Sequence, residues 1–394
     1  MKKAPPIDLY KMLNGREIKF DCCYFNGAKP CQFSSVCNSC DSYRPMGKRI
    51  LVIKLASAGD VLRTTALLPA LKVKFPDSYV TWLTKEPANE LLELSPYIDR
   101  ILTYGLESAT LLQVESFDLV ISLDKASEAA SLAELVKAAA KCGYGLNEKG
   151  KIYPFNKKAE YSFLLGLDNE LKFSINKKTY QEIMFEAVGL PYNNERYELR
   201  LGPRELDFAA EFFKRQNLSS SDFIIGINTG AGKIFANKSL KPARIVELIG
   251  LLYERLNTNI KILLLGGPLE KDINGTILKK LTDHKIIDSG HENTIREFCS
   301  LVNLCSAVIS ADTLALHIAV ALNKAAIALF GPTCPQEIDL YNRGRKIITK
   351  SECAPCYKNI CDKNVTCMDR IDLNEVVGAI KELEPICSKG HERY

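Results

Sequence analysis

A carboxylate stands where a predicted buried strand gives way to a helix near the start of this chain. The run ILVIKL (50–55) is apolar, the next four residues are small, and Asp60 then opens a helix with an apolar face. The C-terminal ends of strands in open α/β folds meet at one sheet edge, where ligands bind. A carboxylate at that edge is therefore a candidate for contact with a ligand. The alternative is that Asp60 only caps its helix, because aspartate is favoured at helix N-termini.

A second group of residues could bind a phosphate. The Gly-rich segment 226–233 follows an apolar run, and a lysine comes five residues after it. The segment is not a nucleotide-binding P-loop, because positions 227 and 234 are isoleucine where that motif requires Gly and Ser or Thr. Backbone N–H groups in such a turn can still face an anion, and lysine binds phosphate as a point charge. A solvated surface lysine is the alternative. The predicted phosphate ligands are Thr229, Gly230 and Lys238.

Two further positions suggest contacts with a nucleotide. Asp312 and Thr313 end one apolar run and open a helix, so the first N–H groups of that helix would point at a pyrophosphate. An ordinary N-cap pair explains the same two residues without a ligand. Glu270 follows the apolar run 261–267, where a carboxylate can accept hydrogen bonds from ribose hydroxyls. A solvated glutamate in the first helical turn is the alternative there.

Alternating apolar strands and helices predict an α/β fold with two doubly wound domains. In the first domain we expect strands at 50–55, 79–83, 100–104 and 118–123, and helices at 61–74, 87–94 and 127–141. In the second we expect strands at 223–228, 261–267, 285–290, 307–312 and 325–331, and helices at 242–254, 294–305 and 313–322, with one more ending near 280. Between 144 and 203 only 179–188 reads clearly as a helix. The expected division is a Cys-rich extension (1–47), two domains (48–210 and 220–350) and a Cys-rich loop with a terminal helix (351–394).

Composition restricts the class of protein. The 394 residues are 46% hydrophobic and 25% charged, as in soluble globular chains. No apolar run approaches the roughly 18 to 20 residues of a membrane helix, and the first residues lack a signal peptide's apolar core. We therefore expect a cytoplasmic protein. A net charge of +5 is compatible with a phosphorylated acceptor or an anionic membrane surface. The chain lacks the basic stripe of a nucleic-acid binder.

Fourteen cysteines are unusual for a cytosolic chain, and most of them fall in two clusters. The reducing cytosol favours metal ligation over disulfides, which remain the alternative. Four thiolates suit structural zinc, with iron or an iron–sulfur cluster as the competing choice. The first cluster uses either Cys22 or Cys23, of which we favour Cys23, and the second lies near the C-terminus. The predicted ligands are Cys23, Cys31, Cys37 and Cys40 in the first, and Cys353, Cys356, Cys361 and Cys367 in the second.

The motifs resemble those of glycosyltransferase family 9, the lipopolysaccharide heptosyltransferases. The similar stretches are GDVL with LLPALK (59–72), DTLALHIAVAL (312–322) and FGPT (330–333), in the family's order over about residues 48–383. Two departures stand out. Leu314 occupies a position where the family usually has glycine, which could narrow the donor site, and Leu240 replaces the usual tryptophan beside an extra lysine.

The resemblance implies a GT-B architecture, with the active site between two Rossmann-like domains. It implies an inverting transfer without a catalytic metal, with Asp60 as the base. The donor, ADP-heptose, would bind the second domain through residues that include Leu314 and His317, besides those given above. The acceptor, a lipopolysaccharide core or related glycan, would bind near Arg63, Asp124 and Lys125, with contact to the cytoplasmic membrane face expected. Alternatives are a protein-hydroxyl heptosyltransferase, a GT-B epimerase and a non-catalytic sugar-nucleotide sensor.

Overall fold

The fold was analysed on a computed structural model that describes residues 17–29, 31–33, 37–232, 238–256, 259–282 and 286–388. Part of the predicted Cys-rich extension therefore lies outside the described residues. Lys233, at the end of the Gly-rich segment, and Lys285, at the start of a predicted strand, also lie outside them. Among the described helices, none is both long and apolar enough to cross a membrane.

The first half of the chain builds a six-stranded sheet. Its strands are β1 (Arg49–Ile53), β2 (Tyr79–Thr84), β3 (Arg100–Thr103), β4 (Ser116–Ser122), β5 (Lys137–Leu146) and β6 (Ile152–Pro154). The order is β3-β2-β1-β4-β5-β6, and all pairs are parallel except β5 with β6. The helices are α1 (Ala58–Thr64), α2 (Leu67–Lys74), α3 (Leu106–Val114), α4 (Ser127–Leu135), α5 (Glu160–Leu164), α6 (Tyr180–Val188) and α7 (Pro203–Arg215). A π-helical turn, Leu171–Ile175, lies between α5 and α6.

Two helix predictions in this half were wrong in extent. The helix predicted over 127–141 ends at Leu135, and Lys137 begins a strand that pairs with β4. The helix predicted over 61–74 is two helices, α1 and α2. Pro69 has no N–H to donate, so it suits the first turn of a new helix better than the middle of a long one.

The second half builds a six-stranded sheet that is parallel throughout. Its strands are β7 (Phe223–Asn228), β8 (Ile260–Leu265), β9 (Ile286–Asp288), β10 (Ala307–Ala311), β11 (Ala325–Phe330) and β12 (Gly344–Ile348), in the order β12-β11-β10-β7-β8-β9. The helices are α8 (Pro242–Arg255), α9 (Lys271–Lys280), α10 (Ile295–Leu304), α11 (Leu314–Ala321) and α12 (Leu373–Ser388). Strand β12 was missing from the prediction. The predicted α/β fold with two doubly wound sheets is confirmed.

The two halves meet at helices rather than at strands. Helix α7 packs on α10, and Arg296 of α10 forms a buried 3.0 Å ion pair with Glu205 of α7. Helix α11 packs on α1 at Gly59. This close approach requires glycine, because a Cβ at this position would lie 2.7 Å from Cδ2 of His317. This contact brings the start of α1, from the first half, against the start of the second half's α11.

Candidate functional site

A cavity of about 810 Å³ lies between the two sheets. Its lining includes Asp60 and Arg63 from the first half, and the Gly-rich turn, Lys238, Glu270 and the start of α11 from the second. The C-terminal ends of parallel strands from both sheets open here, as expected for ligand sites in doubly wound folds. Most of the residues proposed from the sequence are therefore brought together in one place.

Asp60 lies in the first turn of α1 and faces this cavity. Ser57 Oγ donates to its Oδ2 at 2.9 Å, and Arg63 Nε lies 3.1 Å from its Oδ1. Burial opposes ionisation of Asp60, but the cations of Arg63 and Lys54 outweigh it and hold the pKa of the carboxyl below its usual value. Asp60 is therefore ionised at neutral pH and able to accept a proton.

Arg63 is held in place from both sides. Its guanidinium lies 3.6 Å from the ring centroid of Tyr180, in a cation–π arrangement, and it pairs with Asp60. The hydroxyl of Tyr180 lies 3.0 Å from Thr64 Oγ1 on α1. Arg63 is thus a fixed positive charge beside the carboxylate, with little freedom to follow an acceptor.

Asp124, expected on the acceptor side, is instead a buried structural carboxylate. Its Oδ1 pairs with Lys54 Nζ at 2.5 Å, and its Oδ2 accepts from the backbone N–H groups of Leu55 and Ala56. Asp124 is not among the described residues that line the cavity. Because it holds the backbone between β1 and α1, it fixes the loop that presents Asp60.

Lys125 also lies beside the cavity rather than in its lining. Its ammonium donates to the carbonyls of Ser162 and Phe163, at 2.6 and 3.2 Å. Burial of the amine, with a further contribution from the charge of Lys172, lowers its pKa to about 8. Lys172 does line the cavity, and the sequence reasoning missed it.

On the opposite wall, Asp312 is the centre of a charged cluster at the start of α11. Lys238 Nζ donates to its backbone carbonyl at 2.8 Å and lies 3.3 Å from Oδ2, while His317 Nε2 lies 3.5 Å from Oδ1. Burial raises the pKa of Asp312, but the hydrogen bond from His317 and the charge of Lys238 outweigh it and hold the pKa well below its usual range. Thr313 and Leu314 line the cavity beside this cluster.

Thr229 was expected to face the cavity, but it does not line it. Its side chain is fully buried, and its hydroxyl bonds to Leu265 and Asn274 on the far side of the turn. The preceding residue, Asn228, lines the cavity instead. Asn228 Nδ2 donates to the Gly230 carbonyl at 2.6 Å and to Thr313 Oγ1 at 3.1 Å, which ties the Gly-rich turn to the start of α11. The alternation of side chains along β7 is the signal that could have separated the two residues.

Glu270 lies over the Gly-rich turn. Its Oε2 accepts from the Gly267 N–H at 2.8 Å, and a Cβ on Gly230 would lie 2.0 Å from its Oε1. Glycine at 230 therefore makes room for this carboxylate. Glu270 lines the cavity, where its remaining lone pairs can accept hydrogen bonds from hydroxyl groups.

One more group of cavity residues, missed from the sequence, comes from the segment after FGPT. Tyr357 and Glu337 line the cavity together with Lys172. The Tyr357 ring stacks parallel to Phe173 with centroids 5.8 Å apart, and Lys172 Nζ lies 3.8 Å from the Tyr357 centroid. No motif marks these residues, because they converge from segments about 160 to 190 positions apart.

The cysteines of each predicted cluster are neighbours in space. Those of the C-terminal loop, Cys353, Cys356, Cys361 and Cys367, line one cavity of about 310 Å³. In the N-terminal segment a cavity of about 20 Å³ is lined by Cys22, Cys31, Cys37 and Cys40, so Cys22 rather than Cys23 faces the other thiols. All these cysteines are free thiols. Within the described ranges, no three His, Cys, Asp or Glu side chains are placed closely enough to hold a metal ion.

The arrangement has a definite chemical capacity. One wall supplies an ionised carboxylate that can accept a proton. The other supplies a helix N-terminus, a Gly-rich turn and a lysine, which together favour a phosphate leaving group. Such a cleft suits group transfer from a phosphorylated donor to a hydroxyl.

Comparison with known proteins agrees with this geometry. The sequence profile of "Glycosyltransferase family 9 (heptosyltransferase)" matches residues 108–366. The chain is 22% identical to "Lipopolysaccharide core heptosyltransferase OpsX" of Haemophilus influenzae over 85% of this chain and 97% of that protein.

Solved structures show the same two-domain fold. A family 9 glycosyl transferase from Veillonella parvula aligns with a TM-score of 0.67 at 20% identity, covering 85% of this chain and 97% of that one. E. coli heptosyltransferase WaaC with ADP-2-deoxy-2-fluoro heptose aligns at 0.56 and 16% identity, covering 85% and 99%. The iron-containing dodecameric glycosyltransferase TibC of enterotoxigenic E. coli aligns at 0.51 and 11% identity, covering 86% and 77%. The profile match spans well over half the chain, and the chain therefore belongs to glycosyltransferase family 9, with the GT-B fold of that family's enzymes.

Proposed function

We propose that this glycosyltransferase moves a heptose from ADP-heptose to a hydroxyl of a lipopolysaccharide core or related glycan, at the cytoplasmic face of the membrane, with inversion and without a catalytic metal. The heptosyltransferase relatives support the reaction class. The ADP-heptose analogue named for the WaaC structure supports the donor.

One observation carries the proposal: Asp60, from the first half, and the start of α11, from the second half, line the same cavity. The acceptor oxygen attacks the anomeric carbon while its proton passes to Asp60. The bond from that carbon to the diphosphate oxygen breaks, and ADP leaves with the bonding electrons. Attack from the face opposite the diphosphate gives inversion.

The negative charge that develops on the diphosphate meets fixed groups on the second wall. The start of α11 and the Gly-rich turn line the cavity, and Lys238 bonds to Asp312 beside them. Backbone N–H groups at a helix start favour an anion. We propose that Lys238, now bonded to Asp312, shares its ammonium protons with the donor phosphates. Glu270, across the Gly-rich turn, is proposed to accept from the ribose hydroxyls.

A donor screen tests this function directly. The protein is incubated without added divalent cations, with ADP-heptose, ADP-glucose, GDP-mannose or UDP-glucose and a water-soluble, delipidated core oligosaccharide. The products are identified by mass spectrometry. We expect a mass increase of one heptose with ADP-heptose alone. Transfer of a hexose from another nucleotide with no reaction of ADP-heptose would overturn the donor assignment, and no transfer with binding of ADP-heptose would favour a non-catalytic sensor.

We also propose a structural metal at each group of four cysteines. Thiolates bind zinc or iron. The iron-containing structural relative TibC supports iron as the alternative to zinc. Cys353, Cys356, Cys361 and Cys367 would hold one metal, and Cys22, Cys31, Cys37 and Cys40 the other.

Elemental analysis of protein purified anaerobically without chelators tests the metal proposal. We expect about two metal equivalents per chain, and about one in the Cys353→Ser/Cys356→Ser variant. Less than a tenth of an equivalent in the wild-type protein would contradict it.

A further inference from the structure

Tyr180 contacts the neighbour of the proposed base without lining the cavity itself. It is the first residue of α6, and the guanidinium carbon of Arg63 lies 3.6 Å from its ring centroid. Among the described residues, the cavity lining includes Asp60 and Arg63 but not Tyr180. The proposed reaction therefore leaves this aromatic contact without a role.

The ion pair between Arg63 and Asp60 does not by itself fix the plane of the guanidinium. The two side chains lie three residues apart on α1, with Arg63 Nε 3.1 Å from Asp60 Oδ1. Within the part of the chain that the structure describes, however, this Nε has no hydrogen-bond partner, so the contact is electrostatic and lacks direction. The Tyr180 ring supplies the missing constraint, because a guanidinium stacks on an aromatic face.

The Tyr180 ring is itself held in place by α1 and by the start of its own helix. Thr64 Oγ1 donates its proton to the Asp60 carbonyl at 2.7 Å, so the Tyr180 hydroxyl, 3.0 Å from Thr64 Oγ1, is the donor in that contact. Thr179 caps α6 directly before Tyr180, with its hydroxyl accepting from the Glu182 N–H at 3.3 Å. These bonds keep the ring beside Arg63.

The other charged groups that face Asp60 are paired elsewhere. Lys54, just after β1, is paired with Asp124, and His317 on α11 is paired with an aspartate of its own half. Burial raises the pKa of Asp60, and Arg63 lowers it more than Lys54 or His317 does. Release of Arg63 from Asp60 would therefore let burial raise the pKa of the carboxyl.

We propose that Tyr180 is a positioning residue of the reaction, whose ring holds the Arg63 guanidinium against Asp60 and so keeps the carboxylate ionised at the cavity. The ring carries this role, because its face contacts Arg63. It acts through Arg63 and touches neither the substrates nor the reacting atoms. This inference rests on the proposed function, in which Asp60 is the base.

The pH profile of transfer separates positioning from general support of the fold. In Tyr180→Leu, kcat/KM at neutral pH should fall about 3- to 30-fold, the range of a cation–π contact. The profile should also gain an acid limb between about pH 5 and 7, because burial raises the pKa of Asp60 once Arg63 is no longer fixed beside it. Tyr180→Phe, which keeps the ring, should retain the flat profile of the wild type. A residue that only supported the fold would lower the rate equally at every pH.

Matched variants locate the effect. Tyr104→Leu removes another tyrosine ring that contacts a cation, since Lys85 Nζ lies 5.6 Å from its centroid, and neither residue lines the cavity. This variant should keep the flat profile. Arg63→Gln should show the acid limb, and adding Tyr180→Leu to it should not change the profile further. Tyr180→Met takes the place of Tyr180→Leu if circular dichroism shows that the leucine variant is unfolded.

An unfolding measurement without substrate tests the contact independently of the reaction. Urea unfolding at pH 7 is compared for the wild type, Tyr180→Leu, Asp60→Asn and the double variant. The midpoint shifts of the two single variants should sum to more than the shift of the double variant, because Arg63 links the two side chains. Additive shifts would overturn the proposal.

The transfer assay can also overturn it. A flat pH profile in Tyr180→Leu would do so, and so would an equal acid limb in Tyr180→Phe or in Tyr104→Leu. Absence of transfer by the wild-type protein would instead overturn the proposed function. The unfolding comparison would then still decide whether Tyr180 holds Arg63 against Asp60.

Discussion

Asp60 gains its properties from two neighbours of different kinds. Ser57 gives it a hydrogen bond, and Arg63, locked by Tyr180, gives it a nearby charge. Both stabilise the carboxylate, and a third of the Asp60 side chain (33%) remains exposed at the cavity. As the proposed base, Asp60 would be ionised throughout the neutral range, and it would rely on proximity to its substrate rather than on a raised pKa.

The pH profile of the reaction should reflect this. The pKa of Asp60 is lowered in the folded protein, so the carboxylate stays ionised through neutral and mildly acidic pH. Its contribution to folding stability is present above the unfolded pKa and is lost as the pH falls through the folded one. We expect kcat/KM to show no acid limb from Asp60 between pH 5.5 and 8. An inflection in that range that moves to a different pH in Asp60→Glu would contradict the account.

Gly59, next to the proposed base, allows a close contact with the other half of the protein. A Cβ there would lie 2.7 Å from Cδ2 of His317, which is itself 4% exposed and pairs with Asp312. The glycine thus lets α1 approach α11 closely enough to set the distance between the two walls.

Gly59→Ala should therefore destabilise the protein by about 1 to 3 kcal/mol, the usual range for overpacking, and slow transfer as well. The control is the same change in a His317→Ala background, where the space is free and the extra cost should vanish. Thermal unfolding of the four proteins gives the coupling. Additive effects of the two substitutions would show that the contact does not limit the approach.

At the scale of elements, the strand–helix alternation predicted most of both sheets, and its failures have local causes. The alanines after Leu135 favour a helix, but pairing with β4 makes them a strand. Gly143 belongs to that strand: its φ is +89°, and a Cβ there would lie 1.8 Å from the Ser122 carbonyl oxygen. A single glycine in an alanine-rich run did not reveal such a close pairing.

The cysteine loop is an element whose position matters to the cleft. The N–H groups of Cys356 and Tyr357 both donate to the Pro332 carbonyl, at 3.0 and 2.9 Å. Tyr357 holds a left-handed φ of +52° there and stacks on Phe173 of the first half. The loop thereby contacts the π-helical turn on the other side of the cleft.

Disturbing the loop should therefore loosen a distant segment. In Cys356→Ser we expect faster amide hydrogen exchange in residues 168–176, on the other half of the molecule, measured by mass spectrometry. Cys23→Ser, in the N-terminal segment, is the matched control and should leave that segment unchanged. Unaltered exchange in Cys356→Ser would show that the loop does not hold the turn.

At the scale of the whole molecule, the site exists only when both halves are assembled. The sequence motifs predicted Asp60, Asp312 and Lys238 because each follows a strand end. Motifs could not predict that Asp124 would form a buried ion pair with Lys54, because that pairing depends on how β1 and β4 lie side by side. They also gave no sign of Lys172 or Tyr357, which converge only in the folded chain.

The central claim is a division of labour, with the base on one half and the donor site on the other. The most direct test compares Asp60→Asn with the wild type in two assays, transfer from ADP-heptose and calorimetric binding of ADP. We predict that kcat falls about 10²- to 10⁴-fold, as for loss of a general base, while the Kd for ADP changes less than threefold. Transfer at more than half the wild-type rate, or ADP binding that weakens as much as turnover does, would contradict this division.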